Sequence, residues 1–281
     1  MIHLGLIGYP LGHSLSPKLH NAALRHCDLH GEYSLFPIEP DDLERLKGLL
    51  ERVRSGEITG LNVTIPHKQN VIPFLDQLTE TARAIGAVNT IYLRNHKLIG
   101  NNTDAPGFLA DLNGFFATEP RRHGDSLSKN ALILGAGGSA RAVVYALLNG
   151  GWEVTIAARR IEQAGQLVDL FKNYRLQIAD FTLTNTELSN ITLLVNTTPI
   201  GLAPDIDQCP WPENHPFPPH SAIYDLVYNP RETRLVKEAR MQGLSAITGL
   251  GMLIEQAALA FELWTGKQVS REIMSSAMEV S

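Results

Sequence analysis

"LILGAGGSARAVVYAL", residues 132–147, decides the fold. An apolar run that reads as a strand ends in Gly135-Ala136-Gly137-Gly138-Ser139-Ala140, and a helix-like run opens directly behind it. The spacing is G-x-G-x-x-A in a strand, turn and helix setting. The first small residue allows the tight turn, the second lets backbone approach a pyrophosphate, and the third lets the helix pack close to the strand. Unpaired N–H groups at the start of the helix then face the phosphates. An ordinary strand-to-helix turn would need only one glycine. The stretch predicts a dinucleotide-binding unit of the doubly wound Rossmann type.

The next segment, "VTIAARRIEQA" (154–164), reads as the second strand and the start of the second helix. A unit that binds NAD presents Asp or Glu about 20 residues beyond the glycine turn, to hold the ribose hydroxyls. Here stand Ala158, Arg159 and Arg160 instead. Cations at a helix N-terminus oppose its dipole unless an anion sits there. A 2′-phosphate is such an anion. One charge-assisted hydrogen bond of about 1.5–3 kcal/mol shifts preference roughly tenfold to a hundredfold. NADP is therefore expected over NAD.

Strand-like and helix-like runs alternate on both sides of this unit. Upstream come "HLGLIGY" (3–9), a helix after Ser16, "EYSLFPIE" (32–39), a helix over 41–53, "ITGLNVTIP" (58–66) and "VNTIYLRN" (88–95). That order predicts an α/β layer of mainly parallel strands. A helix over 106–117 and a polar stretch over 118–129 lead into the glycine turn. Strands are expected near 152–158, 191–197, 221–227 and 245–248, with helices near 137–149, 161–172 and 231–242. The Pro-rich "CPWPENHPFPP" (209–219) reads as a surface loop. Helices near 250–265 and 270–279 have no strand after them and are expected to return to the first domain. The chain thus divides into 1–105, completed by 250–281, and a nucleotide domain over 106–249.

Composition limits the function classes. The 281 residues suit two domains, and 44% hydrophobic with 19% charged residues is an ordinary globular balance. A net charge of −5 gives nucleic acid or anionic membranes no electrostatic support. No run reaches the roughly 20 apolar residues of a membrane span, and no start resembles a signal peptide. Cys27 and Cys209 have no metal spacing and suit a reducing compartment, so a cytoplasmic protein with a small-molecule partner and no metal is expected.

Polar residues crowd the ends of the first domain's strands, where open α/β sheets bind ligands. Asn62, Thr64 and Lys68 follow one strand, Asn89 begins another, and Asp104 stands at a helix start. Such an array suits a small polyhydroxylated, anionic substrate. Ser14-Leu15-Ser16 precedes Pro17, so Ser16 reads as a helix N-cap with proline at the first helical position. Ser14 is not explained by that cap. The tripeptide recurs as Ser126-Leu127-Ser128 with no proline behind it. His13 and His67 read as loop histidines, with capping or polarising a second reading for His67. Trp152 and Trp264 read as core, and Met252 as packing at a helix start.

At this point the sequence resembles the shikimate dehydrogenase family. The agreement runs through "SLSP" (14–17), "NVTIPHK" (62–68), "GAVNT" (86–90), "GNNTDAPG" (100–107), "GAGGSAR" (135–141), "VNTTPIGL" (195–202), "YDLVYNP" (224–230) and "GLGMLIEQA" (249–257). Each piece is short; their joint order is specific. The resemblance implies reversible NADP-dependent reduction of 3-dehydroshikimate to shikimate, in aromatic amino acid biosynthesis, by a monomer or homodimer. It makes Lys68 and Asp104 the catalytic pair. It gives Ser14, Ser16, Thr64, Asn89, Tyr228 and Gln256 to the substrate, along with that pair. It gives Gly135, Ala136, Gly137, Gly138, Ser139, Ala158, Arg159 and Arg160 to the cofactor, and Glu80, Leu226 and Gly249 to the nicotinamide side.

The chemistry has its own argument. Hydride transfer to a ketone carbon needs a proton at the oxygen, which the cofactor does not supply. Lysine, with an ordinary pKa of about 10.4, is a proton donor at neutral pH rather than a base. Two departures stand out. Ala158-Arg159-Arg160 replaces the family's Asn-Arg-Thr or Asn-Arg-Ser, and Leu202 and Leu226 stand where methionine is common. Rival readings are a relative that also oxidises quinate with NAD, a folate-linked dehydrogenase, and a nucleotide sensor without turnover. The absent acid disfavours NAD, "SLS" and "NTD" disfavour the second, and a retained proton-transfer pair disfavours the third.

Overall fold

The computed structural model describes residues 1–118, 128–179, 188–213 and 215–278. Most of the polar stretch before the nucleotide domain, including Ser126 and Leu127, lies outside them. The chain divides into two compact units, Met1–Gly107 with Leu253–Ser281, and Phe108–Met252.

The first unit is built on a six-stranded sheet of order β2-β1-β3-β5-β6-β4. Its strands are β1 (Ile2–Gly8), β2 (Gly31–Pro37), β3 (Gly60–Val63), β4 (Gln77–Leu78), β5 (Thr90–Arg94) and β6 (Lys97–Asn101). β1 pairs in parallel with β2 and β3, as the alternation with helices α1 (Ser16–His26) and α2 (Leu43–Arg54) requires. β5, however, runs antiparallel to both β3 and β6, so the sheet is mixed rather than mainly parallel. The reversal between β5 and β6 is a two-residue hairpin. Asn95 and His96 both take positive φ, 51° and 59°, which is the backbone of a tight turn between twisted strands. Asn-His lacks the glycine that normally announces such a turn, so β6 and the short β4 beside it went unread. α2 turns Leu46, Leu49, Leu50 and Val53 into a core with Ile7, Ile58, Leu61 and Ile91. Helices α3 (His67–Asn70) and α4 (Glu80–Ile85) sit between these strands in sequence.

In the second unit, β7 (Asn130–Leu134), β8 (Glu153–Ala157), β9 (Leu176–Ala179), β10 (Leu193–Asn196), β11 (Ala222–Asp225) and β12 (Ala246–Thr248) form an all-parallel sheet. The order β12-β11-β10-β7-β8-β9 is that of the doubly wound fold, with its switch point between β7 and β10. β9 is an edge strand of four residues, Leu-Gln-Ile-Ala, none of them buried, and it lies outside the expected strands. Crossovers run through α6 (Gly138–Asn149), α7 (Ile161–Leu170) and α8 (Arg234–Met241). The Pro-rich stretch is not simply surface. Trp211 and Phe217 are buried and stack with ring centroids 5.6 Å apart, joining the core of Leu132, Leu194 and Ile223. Prolines bar regular structure there, but the aromatic rings still leave water.

Three helices complete the described chain: α5 (Asp104–Thr118), α9 (Leu250–Thr265) and α10 (Arg271–Ser276). Trp264 of α9 donates its Nε1–H to the Ile91 carbonyl at 3.0 Å and packs against His20 and Tyr33. Trp152 is half-buried and stacks on Phe116.

Candidate active site

In the first unit, polar side chains from three strand ends and two helices meet in one buried network. α3 carries Lys68 and the start of α5 carries Asp104; Lys68 Nζ donates to Asp104 Oδ2 at 2.7 Å. Both are buried, 8% and 6% exposed, so the attraction is little screened by water. Asp104 is set by Asn102, whose Oδ1 accepts the N–H groups of Asp104 and Ala105 at 3.1 and 3.2 Å. The Asn102 amide in turn donates to the Ala87 carbonyl.

Asn89 fixes the second carboxylate oxygen. Its Nδ2 donates to Asp104 Oδ1 at 2.8 Å, and also lies 2.9 Å from Thr103 Oγ1 and 3.4 Å from Gln256 Oε1. Its Oδ1 accepts the Thr103 N–H at 2.7 Å and the Thr90 hydroxyl at 3.0 Å. That division of donors and acceptors leaves one orientation for the amide, with the NH₂ toward Asp104. Behind it, Asn62 accepts the Tyr33 hydroxyl at 2.8 Å and donates to the Asn89 carbonyl at 3.2 Å. Thr90 and Thr103 were not singled out in the sequence. Their signal was available: each is a hydroxyl directly beside a site amide or carboxylate.

The remaining residues differ in how they are held. Ser16 is buried and opens α1, but Leu15 takes the N-cap position and no side chain caps the helix. Instead Ser14 Oγ accepts the Ser16 N–H at 3.3 Å, which corrects the expectation for both serines. The Ser14 acceptor is thereby used within the loop while its hydroxyl proton stays available for an anion. Thr64 is half-buried beyond β3, with its N–H on the Ile7 carbonyl. His67 is not a loop residue: it is buried in α3, with Nε2 at 2.7 Å from the Ile38 carbonyl. His13 is exposed. Glu80 is exposed at the first position of α4, in the first unit.

The second unit presents the glycine turn at its switch point. Gly135 has φ +102°, and a Cβ there would come within 2.9 Å of Thr197 Oγ1 and Thr198 Cγ2. Only glycine suits both the backbone and the approach. Gly137 caps α6 with open space where a side chain would be, so backbone N–H groups remain approachable. Ala136 and Ala158 are buried, Gly138 and Ser139 half-buried, and Arg159 and Arg160 exposed before α7. This donor set and open backbone fit the pyrophosphate and 2′-phosphate of NADP.

A buried carboxyl organises the neighbouring loops. Asp225 accepts from Asn196 Nδ2 at 2.8 Å, the Val227 N–H at 3.0 Å and the Thr233 hydroxyl at 2.7 Å. Burial pushes its pKa up to about 6 despite those three donors, which act the other way. Asn196 meanwhile accepts both the N–H and the hydroxyl of Thr198. One carboxyl thus ties the loop after β10 to the loop carrying Leu226 and Tyr228. Tyr228 is half-buried, and burial raises its pKa. A Cβ on Gly249 would meet the Leu226 carbonyl oxygen at 2.5 Å, so that position too requires glycine. Met252 is buried at the start of α9, as its packing role implied.

A dinucleotide-type turn on a parallel sheet, joined in one chain to a second α/β unit bearing a buried lysine–carboxylate pair, defines the class of two-domain nucleotide-dependent oxidoreductases. Family models agree. The shikimate dehydrogenase substrate binding domain matches residues 6–91, shikimate/quinate 5-dehydrogenase matches 119–200, and the shikimate 5′-dehydrogenase C-terminal domain matches 249–279. Shikimate dehydrogenase (NADP(+)) of Salinibacter ruber is 42% identical over 97% of this chain and 95% of its own length. The Synechocystis enzyme of the same name is 41% identical over 98% and 94%. Shikimate 5-dehydrogenase from Thermus thermophilus, solved with NADP(H) and shikimate, superposes with a TM-score of 0.85 at 39% identity over 99% of both chains. The chain belongs to the shikimate dehydrogenase family.

Proposed function

We propose that the protein reduces 3-dehydroshikimate to shikimate, reversibly, as an NADP-dependent oxidoreductase of the shikimate pathway. The observation that carries this reading is the Lys68–Asp104 pair, locked by Asn89. We give each site residue the role its motif implies, with most substrate residues in the first unit and most cofactor residues in the second.

When bound, NADPH supplies the hydride. Lys68 donates a hydrogen bond to the substrate ketone oxygen and then the proton that makes it an alcohol. Asp104 holds the ammonium at 2.7 Å and orients it. Because the two act as a unit, the proton removed in the oxidative direction belongs to the pair rather than to either residue. Asn89 and Gln256 orient the ring hydroxyls, and Ser14 and Ser16 take the carboxylate, with Thr64 and Tyr228 completing the contacts. The backbone of Gly135–Ser139 receives the pyrophosphate, Arg159 and Arg160 the 2′-phosphate, and Ala158 the adenosine ribose. Glu80, Leu226 and Gly249 line the nicotinamide side.

No helix among the described residues is long and apolar enough to cross a membrane, and both cysteines are free thiols. We infer a cytoplasmic enzyme, monomeric or homodimeric, from the family resemblance; light scattering measures its oligomeric state. The activity test follows nicotinamide absorbance with shikimate or quinate and with NADP+ or NAD+. Turnover is expected with shikimate and NADP+. NADP+ binding with no turnover on any pair would instead make the protein a sensor.

A further inference from the structure

Arg141 is a buried cation with no carboxylate partner among the described residues. It is the fourth residue of α6 and only 8% exposed. Its Nε is buried with no hydrogen-bond partner, and among the described residues its side-chain hydrogen bond is from Nη2 to Gln166 Oε1 at 3.4 Å. Among the described residues no carboxylate pairs with it. Buried arginines are ordinarily paired, because an unpaired charge in low dielectric loses its hydration without return.

Its position makes the cost larger. α6 and α7 follow adjacent parallel strands, so both begin at the same edge of the sheet and both present a positive dipole end there. Arg141 stands in the first turns of α6, and its guanidinium reaches across to the neighbouring helix. The Gln166 contact ties it to α7, the helix that opens behind Arg159 and Arg160, rather than to the glycine turn. Glu162 in the first turn of α7 is exposed and makes no contact with it. Arg141, Arg159 and Arg160 are thus carried by the two elements that open at this edge, and no salt bridge to any of them is formed among the described residues.

We propose that Arg141 is a specificity residue for the cofactor: a buried cation near the start of α6, bonded to α7 and without a carboxylate partner, that favours a dinucleotide with a 2′-phosphate over one with a bare ribose. It acts from inside the fold, where Arg159 and Arg160 act from the surface, and it rests on the NADP reading above. The contact to α7 selects the 2′-phosphate rather than the pyrophosphate as the group that feels it.

The test is direct binding of NADP+ and NAD+ by calorimetry, with the melting temperature of the ligand-free protein, in wild type, Arg141→Met, Arg141→Lys and Gln166→Glu. Gln166→Glu leaves the arginine in place and gives it an acid, and Gln166 is exposed, so the core is undisturbed. Arg141→Met and Gln166→Glu are each expected to lower the preference for NADP+ roughly tenfold while NAD+ affinity stays within about twofold. Their ligand-free melting temperatures should stay level or rise, and Arg141→Lys should keep the preference. An unchanged preference in Gln166→Glu, or equal weakening of both nucleotides, overturns the proposal. So does a fall in ligand-free melting temperature without a change in preference, which marks a structural arginine. A wild type without preference for NADP+ removes both this inference and the cofactor reading beneath it.

Discussion

Lys68 Nζ and Asp104 Oδ2 stand 2.7 Å apart in a buried pair whose other carboxylate oxygen is held by Asn89. The pair stays where it is because α3 and the start of α5 are fixed from behind. The Val88 N–H bonds the Lys68 carbonyl at 2.7 Å, and Asn102 holds the first N–H groups of α5. Preorganised charge of this kind stabilises the transition state without rearrangement. Lys68→Ala is expected to lower kcat by about 10²–10⁴-fold with a small change in KM, because the proton is needed only as the alcohol forms. Steady-state kinetics with shikimate and NADP+ check this, and wild-type turnover would count against the assignment.

The two serines at the start of α1 differ in what they can offer a ligand. Ser14 Oγ already accepts the Ser16 N–H at 3.3 Å, which leaves its hydroxyl proton to donate to another acceptor. Two hydroxyl donors on one short loop suit an anion bound equally in ground and transition states. Replacing both with alanine should raise KM for shikimate roughly tenfold or more and leave kcat within a few-fold, since each lost charge-assisted bond is worth about 1.5–3 kcal/mol. A kcat loss without a KM change would place them elsewhere in the mechanism.

What could be read in the sequence was local and punctuated. Gly135 to Ala140 announced strand, turn and helix together, and the all-parallel order of β7 to β12 follows from that unit repeating. The first sheet was harder, because the turn from β5 into β6 depends on Asn95 and His96 adopting positive φ without a glycine, and β5 itself already runs against β3. Lys68, Asn89 and Asp104 were legible as polar residues at strand ends. Asp225 and Thr103 were not, because their work is to orient other groups, and that shows only when partners far apart in the chain are brought together. Trp211 and Phe217 were missed for the opposite reason: proline density described the backbone but not the rings.

The glycine turn makes a sharper claim than its motif does. At Gly135 a Cβ would press on Thr197 and Thr198 at 2.9 Å while the backbone holds φ +102°. Gly135→Ala therefore meets strain and a clash together, and about 1–3 kcal/mol of stability should be lost. The thermal shift produced by NADP+ should shrink as well. Calorimetric melting with and without the nucleotide measures both, and an alanine variant with wild-type melting in both states would show that the turn relaxes freely.

Two buried titratable groups, one in each unit, act on stability with opposite sign. His20 is fully buried, stacked on Tyr33 at 4.4 Å, and neither ring nitrogen has a partner. Burial pushes its pKa down to about 3, with nearby Asn62 opposing only in part. The unfolded chain binds that proton near pH 6.5 and the folded one does not, so His20 contributes stability above pH 6.5 that is lost as pH falls toward 3. At roughly 1.4 kcal/mol per unit, the full loss approaches about 5 kcal/mol. Asp225, raised to about 6, does the reverse. Its protonated form stabilises the fold below pH 4, and that contribution, about 3 kcal/mol, is lost as pH rises through 6. Between pH 7 and 4.5 the first unit should therefore weaken while the second is supported. Hydrogen exchange of β1–β3 and β10–β11 peptides at the two pH values reads each unit separately. His20→Phe, which keeps the stacked ring and removes the proton site, should abolish most of the acid loss in β1–β3. Asp225→Asn should flatten the response of β10–β11 alone. Acid loss of equal size in His20→Phe and wild type would assign it to other groups.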